Sequence, residues 1–208
     1  MIELTESEES IVQEFFKDQP MGRFLELGAH TGEPRNETEP CWNLLAKGWD
    51  GYYCEPNPIN CSKLIRNTWP YRNQIRIFNG AVTGINRFDP LYIALDDELA
   101  SCSSLHPEWM NKQPFVTTQQ YPFYLNTHSI GFDQLIQYIG SDFDFISIDI
   151  EGSDDEVITS VDWNIFTNLK LICTEHPNHD SFVHLANAGF IHTGVTKNSN
   201  VFFVKKIG

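Results

Sequence analysis

The stretch DFISIDIEGSDDEV, residues 144–157, is the clearest indication of the fold in this sequence. Its apolar run FISI leads directly to Asp149, and five acids stand within the eight residues that begin there. A short apolar run of this kind is typical of a strand that is buried on both faces of a parallel sheet. The acids then lie at the carboxyl end of the strand, where open α/β sheets bind their ligands.

The five acids fall into two groups. Asp154, Asp155 and Glu156 fit the first turn of a helix, where the helix dipole favours negative charge. Asp149 stands at the strand end itself, so we expect it to face a cation, either a positive group of a bound ligand or a metal ion. Glu151 lies between the groups, because with Gly152 it could equally form the turn that caps the following helix.

Strands and helices alternate on both sides of this stretch, which indicates one α/β domain, residues 1–208, with a mainly parallel sheet. The predicted strands are RFLEL (23–27), GYYCE (51–55), QIRIFNG (74–80), FDFISID (143–149), LKLICTE (169–175) and the terminal hairpin FIHTGV (190–195) with NVFFVK (200–205). The predicted helices are 5–17 within an N-terminal helical segment 1–20, where Thr5 and Glu8 resemble a capping box, and then 40–49, 57–69, 131–140 and 180–189.

Residues 85–126 have no clear periodicity. The run LYIAL (91–95) predicts a strand, whereas ASCSSLHPEWMNKQ (100–113) is typical of a loop or lid. We therefore interpret residues 97–128 as a lid that forms the region where a substrate, the acceptor of the reaction, would bind. The aromatic side chains in and near it could stack on a sugar, or could equally belong to the core or to a homodimer face; they are Trp109, Phe115, Tyr121, Phe123 and Tyr124.

Charge and composition limit the choice of partner and compartment. The net charge of −14 argues against a nucleic-acid or anionic-membrane partner, because both require clustered Lys and Arg. The acidic N-terminus is unlike a signal peptide, and no apolar run approaches the roughly 18–20 residues of a membrane span. Five cysteines without a CxxC pair suggest reduced thiols, so we expect a cytoplasmic protein.

Each predicted core strand ends in polar or glycine-rich residues, which we expect to meet at one edge of the sheet. The first strand leads to Gly28 and Gly32, whose Gly-x-x-x-Gly spacing differs from that of a dinucleotide-binding turn and could also be an ordinary tight turn. The second strand ends at Glu55, which is placed to accept hydrogen bonds from two ribose hydroxyls or is simply a solvated acid.

Several of these segments resemble the FkbM family of S-adenosylmethionine-dependent methyltransferases in order and spacing. They are FLELGAHTGE, GWDGYYCEPNP, FNGAV, DFISIDIEGSDDEVI, LICTEH and the closing NAGFIHTGVTKNSNVFFV, which together span about residues 22–205. The resemblance implies a class I methyltransferase fold: a Rossmann-like sandwich with a mainly parallel seven-stranded sheet, a C-terminal antiparallel hairpin and helices on both faces. Two features depart from the commonest family pattern, namely Glu26 in place of Asp and the longer loop EPRNETEP (33–40).

The resemblance also implies positions around the cofactor S-adenosylmethionine. Asp149 would face its ammonium or sulfonium group. Glu55 would bind the ribose with Asn57 beside it. The remaining implied contacts are Glu26, Gly28, Ala29, His30 and Gly32 along the methionine part, Asn79, Gly80 and Ala81 along the adenine, and Ser103 and Ser104 nearby.

The reaction implied is methylation of a hydroxyl of a sugar, glycan or other small metabolite. A hydroxyl nucleophile needs a general base, and the candidates at the strand ends are Asp149, Glu151, Glu175 and His176. Histidine is suited to proton transfer near neutral pH, although His176 could merely cap a strand. Asp149, Glu175 and His176 could also hold Mg²⁺ or Mn²⁺, as in metal-dependent O-methyltransferases of this fold.

Two other functional classes remain open at this point. One is a nucleotide- or NAD-binding oxidoreductase on a related sheet, which the missing third glycine disfavours. The other is a catalytically silent module that binds the cofactor, which the acids at the fourth and fifth strand ends disfavour.

Overall fold

The computed structural model describes residues 7–33, 39–93, 103–110, 124–195 and 200–206. The strands in these ranges are β1 (Arg23–Leu27), β2 (Asp50–Cys54), β3 (Ile75–Phe78), β4 (Ala81–Thr83), β5 (Arg87–Tyr92), β6 (Tyr124–Gly131), β7 (Phe145–Ile148), β8 (Leu171–Glu175), β9 (Phe190–Val195) and β10 (Asn200–Lys205). The helices are α1 (Glu8–Phe15), α2 (Trp42–Ala46), α3 (Pro58–Asn67), α4 (Pro107–Met110), α5 (Phe132–Ile139), α6 (Asp154–Ser160) and α7 (His179–Asn187).

Seven strands form the central sheet in the order β3-β2-β1-β7-β8-β10-β9. The first five are parallel to their neighbours, whereas β10 runs antiparallel to both β8 and β9. The predicted α/β fold with its terminal hairpin is therefore confirmed. Because β1 and β7 lie side by side at the centre, the glycine turn after β1 and the acids after β7 meet at one edge.

Alternating side chains of the central strands pack into two hydrophobic layers, one on each face of the sheet. Leu25 and Ile146 face the layer that contains side chains of α5, α6 and α7. Phe24 and Phe145 face the opposite layer, which contains side chains of α1, α2 and α3. This double coverage explains why the strands read as nearly continuous apolar runs.

The helix starts follow the sequence with one correction. Asn57 caps α3 through a hydrogen bond from the Ile59 amide, with Pro58 in the first turn, as predicted. The acids of the opening stretch occupy the first turn of α6, also as predicted. The capping box was wrong, because the cap of α1 is Ser7, whose hydroxyl accepts from the Ser10 amide. Thr5 lies outside the described residues.

A second, three-stranded sheet with the order β4-β6-β5 was not predicted. Within residues 85–126, for which the sequence showed no clear periodicity, β5 and the start of β6 pair antiparallel from Arg87 to Tyr92. Pro90 and the half-exposed side chains of both strands hide the apolar alternation that identifies a strand. Of the predicted strand 91–95, residues 91 and 92 belong to β5, while 94 and 95 lie outside the described ranges.

The structure describes only part of the predicted lid, residues 97–128. Residues 103–110 and 124–128 are described, and the latter belong to β6 rather than to a lid. Tyr124 is exposed and its ring lies 6.0 Å from that of Tyr92. Phe115, Tyr121, Phe123 and the side chain of Trp109 are outside the described part. Over the described ranges, no helix is both long and apolar enough to cross a membrane.

Candidate functional site

A pocket opens at the carboxyl edge of the central sheet, between the ends of β1, β2, β3 and β7. Of the residues singled out from the sequence, it is lined by Gly28, His30, Glu55, Gly80, Ala81, Ser103, Ser104, Asp149 and Glu151. Residues that the sequence did not single out complete the wall: Cys54, Pro56, Asn60, Val82, Leu91, Leu105, Ile150 and Ser153. The predicted convergence of the strand ends therefore exists for four of the five core strands.

The turn after β1 can be made only with glycine at its first position. Gly28 has φ +87°, and a Cβ atom on it would lie 1.7 Å from the carbonyl oxygen of Asp149. Its amide donates to the Cys54 carbonyl at 2.9 Å, which ties the turn to β2. The main chains after β1 and β7 thus touch at the pocket floor, which an ordinary tight turn would not require.

Three residues at the strand ends adopt the left-handed conformation that non-glycine residues rarely use. They are His30 after β1 (φ 46°), Glu151 after β7 (φ 53°) and His176 after β8 (φ 42°). Such outliers cluster at ligand-binding sites, where surrounding contacts hold them in place. His30 and Glu151 line the pocket.

Glu55 is a buried anchor of the pocket, not a solvated strand-end acid. It is 5% exposed, and its two carboxylate oxygens accept from the amides of His30 at 2.8 Å and Asn57 at 2.7 Å. Burial raises the pKa of Glu55 to about 8, against the opposing effect of these two donors. Each oxygen retains a lone pair, so Glu55 can still accept hydrogen bonds from a ligand hydroxyl.

Asp149 faces the pocket directly. Its amide donates to the Leu27 carbonyl at 3.0 Å, which fixes it beside the end of β1. The side chain is accessible from the pocket, but protein surrounds it on its other sides. This removal of water, followed by the negative charge of Glu8, raises the pKa of Asp149 to about 6.

Glu26 does not line the pocket, but it lies close enough to Asp149 for the two charges to interact. It is 4% exposed, and burial raises its pKa to about 8, a shift that the carboxylate of Asp149 reinforces and a hydrogen bond with Cys41 opposes. Its Oε2 atom is buried and has no hydrogen-bond partner among the described residues. A buried carboxylate with an unmatched oxygen beside Asp149 suits a positively charged ligand group.

Glu175 and His176 lie away from the pocket lining. Burial, followed by the charges of Asp149, Glu151 and Asp154, raises the pKa of Glu175 to about 9. His176 is exposed, with its Nε2 atom 3.5 Å from Glu175 Oε1. Asp149 does not join these two in a metal-binding arrangement: the described ranges contain no group of three His, Cys, Asp or Glu side chains that could hold an ion. Asp149, Glu175 and His176 therefore do not fit a metal ion.

The far side of the pocket is apolar. Gly80 and Ala81 line it together with Val82 and Leu91, and a Cβ atom on Gly80 would lie 2.6 Å from the Phe78 ring. Asn79 is exposed and outside the lining, where its amide group donates to the Glu55 carbonyl at 2.7 Å.

The other predicted contacts stabilise the pocket from behind. Asn57 is fully buried and donates to the Ser103 hydroxyl at 3.1 Å. Ala29 and Gly32 are buried below the turn, where a Cβ atom on Gly32 would lie 2.3 Å from a methyl carbon of Leu64.

Residues 103–106 clasp the turn between β7 and α6, and this contact was not foreseen. Ser104 pairs with Tyr92 through two main-chain hydrogen bonds, and its hydroxyl donates to the Glu151 carbonyl at 2.6 Å. His106 donates its amide to Ser104 Oγ, and its Nε2 atom lies 3.0 Å from Ser153 Oγ. The Ser-Ser pair was the only sequence signal for this clasp, because nothing in the spacing identifies His106 or Ser153.

Comparisons with known proteins agree with this geometry. The chain matches the family model of the methyltransferase FkbM domain over residues 26–192. The fold is similar to that of methyltransferase FkbM from Methylobacillus flagellatus KT, with 12% identity and a TM-score of 0.56 over 96% of this chain and 48% of that one. It is also similar to magnesium protoporphyrin IX methyltransferase from Synechocystis PCC 6803 with bound SAM, with 11% identity and a TM-score of 0.51 over 96% and 78% of the two chains.

At these identities the two structures show a shared fold and nothing finer. The chain spans about half the length of the Methylobacillus protein. No curated protein matches the sequence.

Proposed function

Because the chain belongs to the FkbM methyltransferase family, we propose that it methylates a hydroxyl of a sugar, a glycan or another small metabolite, with S-adenosylmethionine as the methyl donor. The observation that carries the donor assignment is the contact of Gly28 with the Asp149 carbonyl. Two buried acids accompany it: Glu55, and Glu26 with an oxygen that has no hydrogen-bond partner among the described residues. Membership of this family argues against the alternative function of an oxidoreductase.

Three parts of the donor can be matched to residues in and near the pocket: its charged groups, its ribose and its adenine. When bound, S-adenosylmethionine supplies a methyl group made electrophilic by a sulfonium. Asp149 offers negative charge to the ammonium and sulfonium groups. Glu26, whose pKa of about 8 leaves it mostly protonated at neutral pH in the ligand-free protein, would ionise when a cation binds beside it. Glu55 offers its remaining lone pairs to the ribose hydroxyls. Val82 and Leu91, with the backbone of Gly80, form an apolar slot for the adenine.

Asp149 is the general base in this proposal. A hydroxyl acceptor must be aligned with the methyl group and must lose its proton as it reacts. Asp149 lines the pocket, and its pKa of about 6 leaves it mostly ionised at neutral pH while remaining basic enough to take a proton. Glu175, with a pKa of about 9, stays protonated at that pH and so serves poorly as a base.

Glu151 ranks second as a base, since it also lines the pocket. His176 ranks below both, because it is exposed outside the lining. The clasp of Ser104 and His106 covers the turn that carries Asp149 and Glu151, so it would keep both acids in place and limit the access of water.

Calorimetric titration tests the donor assignment, with S-adenosylhomocysteine and NAD as ligands. We expect binding of S-adenosylhomocysteine in the micromolar range and none of NAD; the reverse result would overturn the proposal. A glycan array incubated with labelled methyl donor, with and without EDTA, then tests for transfer. Asp149→Asn should abolish transfer, and it should also weaken binding of S-adenosylhomocysteine, because the proposal places Asp149 against the ammonium group of the cofactor. Binding without transfer to any acceptor would favour the silent module.

We also propose that the protein is cytoplasmic with reduced thiols. In support, four of its five cysteines are described, and Cys41, Cys54, Cys61 and Cys173 are all free and buried. Cys102 lies outside the described part.

A further inference from the structure

The charges of this acidic chain are unevenly distributed. Residues 56–88 contain no Asp or Glu, although the chain has 28 acids in 208 residues. The same stretch holds five of the 14 basic residues, and four of them fall between Lys63 and Arg76. Since the whole chain carries −14, the remainder carries −19 against +5 in this stretch. One part of the molecule is therefore strongly basic compared with the rest.

Three of these arginines lie on one corner of the molecule, formed by α3, a short 3-10 turn at Trp69–Tyr71 and β3. We call this surface the α3–β3 corner, and its residues are Ile65, Arg66, Trp69, Arg72, Arg76 and Ile77. The three arginines are exposed, and none forms an ion pair with an acid of the described ranges. Their charge is therefore available to a partner.

The same corner exposes apolar side chains. Trp69 is 60% exposed and Ile65 is 45% exposed. They line a shallow groove together with Arg72, Arg76 and Ile77. The guanidinium of Arg72 lies 5.3 Å from the centre of the Trp69 ring. A surface that combines a large exposed aromatic with arginines has the composition of a protein interface.

The groove runs beside an open sheet edge. In the described part of the central sheet, β3 is an end strand that pairs only with β2. Gln74 and Phe78 direct their carbonyls to β2, so the alternation of a strand directs the main-chain groups of Ile75 and Ile77 outward. The Ile75 carbonyl accepts from Arg76 Nη1 at 2.8 Å, whereas Ile77 faces the edge without a neighbouring strand.

We propose that the α3–β3 corner binds an extended acidic segment of a partner protein, which lies along β3. Open main-chain groups recognise a peptide backbone, and this is how sheets bind extended partners. Carboxylates of the segment would pair with Arg72 and Arg76, because guanidinium groups bind carboxylates in a bidentate manner. Apolar side chains on its other face would cover Ile65 and Trp69.

Other occupants fit the corner less well. A symmetric second copy would bring the same basic patch against itself, so like charges would repel. A nucleic acid would use the arginines but not the strand edge, and the net charge of −14 opposes its approach. No residue of the corner lines the cofactor pocket, so this proposal is independent of the chemistry there.

Fluorescence anisotropy with a labelled peptide of alternating Glu and Val tests the proposal at low ionic strength. We expect the peptide to bind the full chain and the double variant Arg72→Glu/Arg76→Glu to weaken binding by at least about tenfold. The control is Lys17→Glu/Lys206→Glu, which changes the net charge equally at exposed positions elsewhere and should leave the affinity unchanged. Trp69→Ala should weaken binding without any change of charge.

Three results would overturn the proposal. They are failure of the peptide to bind at about 1 mM or below, an equal loss in the control variant, and tighter binding of a short single-stranded RNA that depends on the same arginines. Circular dichroism and S-adenosylhomocysteine titration check that each variant is folded. If the charge reversal prevents folding, Arg72→Gln/Arg76→Gln provides the same comparison.

Discussion

The carbonyl oxygen of Asp149 occupies the space that a side chain on Gly28 would need, 1.7 Å from the ideal Cβ position. The central strands β1 and β7 therefore end in main-chain contact, and this contact places the carboxylate of Asp149 against the glycine turn. Glycine is required at position 28 because the main chain of Asp149 leaves no room for a side chain there.

Replacing Gly28 by Ala should abolish cofactor binding. The Cβ atom would collide with a main-chain oxygen that cannot move unless β7 moves with it, so we expect the affinity for S-adenosylhomocysteine to fall at least about 100-fold. Gly189→Ala is the matched control, because Gly189 has a similar φ of +83° but its Cβ would meet nothing closer than 3.9 Å. It should show only the strain of a left-handed alanine, about 1 kcal/mol of stability. Equal losses in both variants would show that the close approach is unimportant.

Replacing Glu55 by Ala should weaken cofactor binding and also loosen the turn after β1. The variant removes the acceptor for the amides of His30 and Asn57 as well as the proposed ribose contact. The loss of two hydrogen bonds predicts a fall of about 10- to 100-fold in S-adenosylhomocysteine affinity, which calorimetry measures. Asp50→Ala, at the exposed start of the same strand, should bind normally. An unchanged dissociation constant for Glu55→Ala would contradict the assignment.

The stability of the ligand-free protein should fall as the pH rises, in part because of Glu175. Its pKa is raised from 4.5 to about 9, so between these values the native state keeps a proton that the unfolded chain has lost. The contribution of this group is therefore fully present below about pH 4.5 and is lost as the pH rises to about 9. Glu175→Gln should make the decline of the unfolding free energy with pH shallower, by at most ~1.4 kcal/mol per pH unit. Thermal unfolding at several pH values measures this difference. Asp180→Asn, an exposed acid on α7, should follow the wild type.

The clasp between His106 and Ser153 should tune catalysis by holding the turn that carries Asp149 and Glu151. We expect His106→Ala to lower kcat by about two- to tenfold, the effect of one lost hydrogen bond. Ser153→Ala should have a similar effect, and the double variant should be little worse than either single one, because both remove the same contact.

His128→Ala is the control for the clasp, since His128 is an exposed residue of β6 that contacts the Phe88 ring. Additive losses in the double variant, or an equal loss in His128→Ala, would show that His106 does not act by holding the turn. Retention of activity by His106→Gln would support the hydrogen bond as the relevant property, because a glutamine amide can also donate to Ser153.

The strands and helices that could be predicted from the sequence are those fixed by interactions between residues close together in the chain. The strand of Phe145–Ile148 is recognisable because all four residues are buried, so the periodicity of a half-exposed strand is absent. The helix cap at Asn57 is recognisable because its side chain bonds two residues ahead. By contrast, β5 and β6 pair across more than 30 residues and carry mixed, half-exposed side chains, so no local pattern marks them.

The candidate site divides in the same way. That Glu26, Glu55, Asp149 and Glu175 stand at strand ends could be predicted from the sequence, because strand limits follow from apolar runs and glycines. Three further facts depend on the packed fold: Asp149 opens into the pocket, Glu55 is bound to two amides, and Glu26 and Glu175 lie outside the lining. The packed fold also brings His106 to Ser153 across 47 residues. The direction and partners of a side chain depend on segments far apart in the chain, and these meet only when the sheet and its helices pack together.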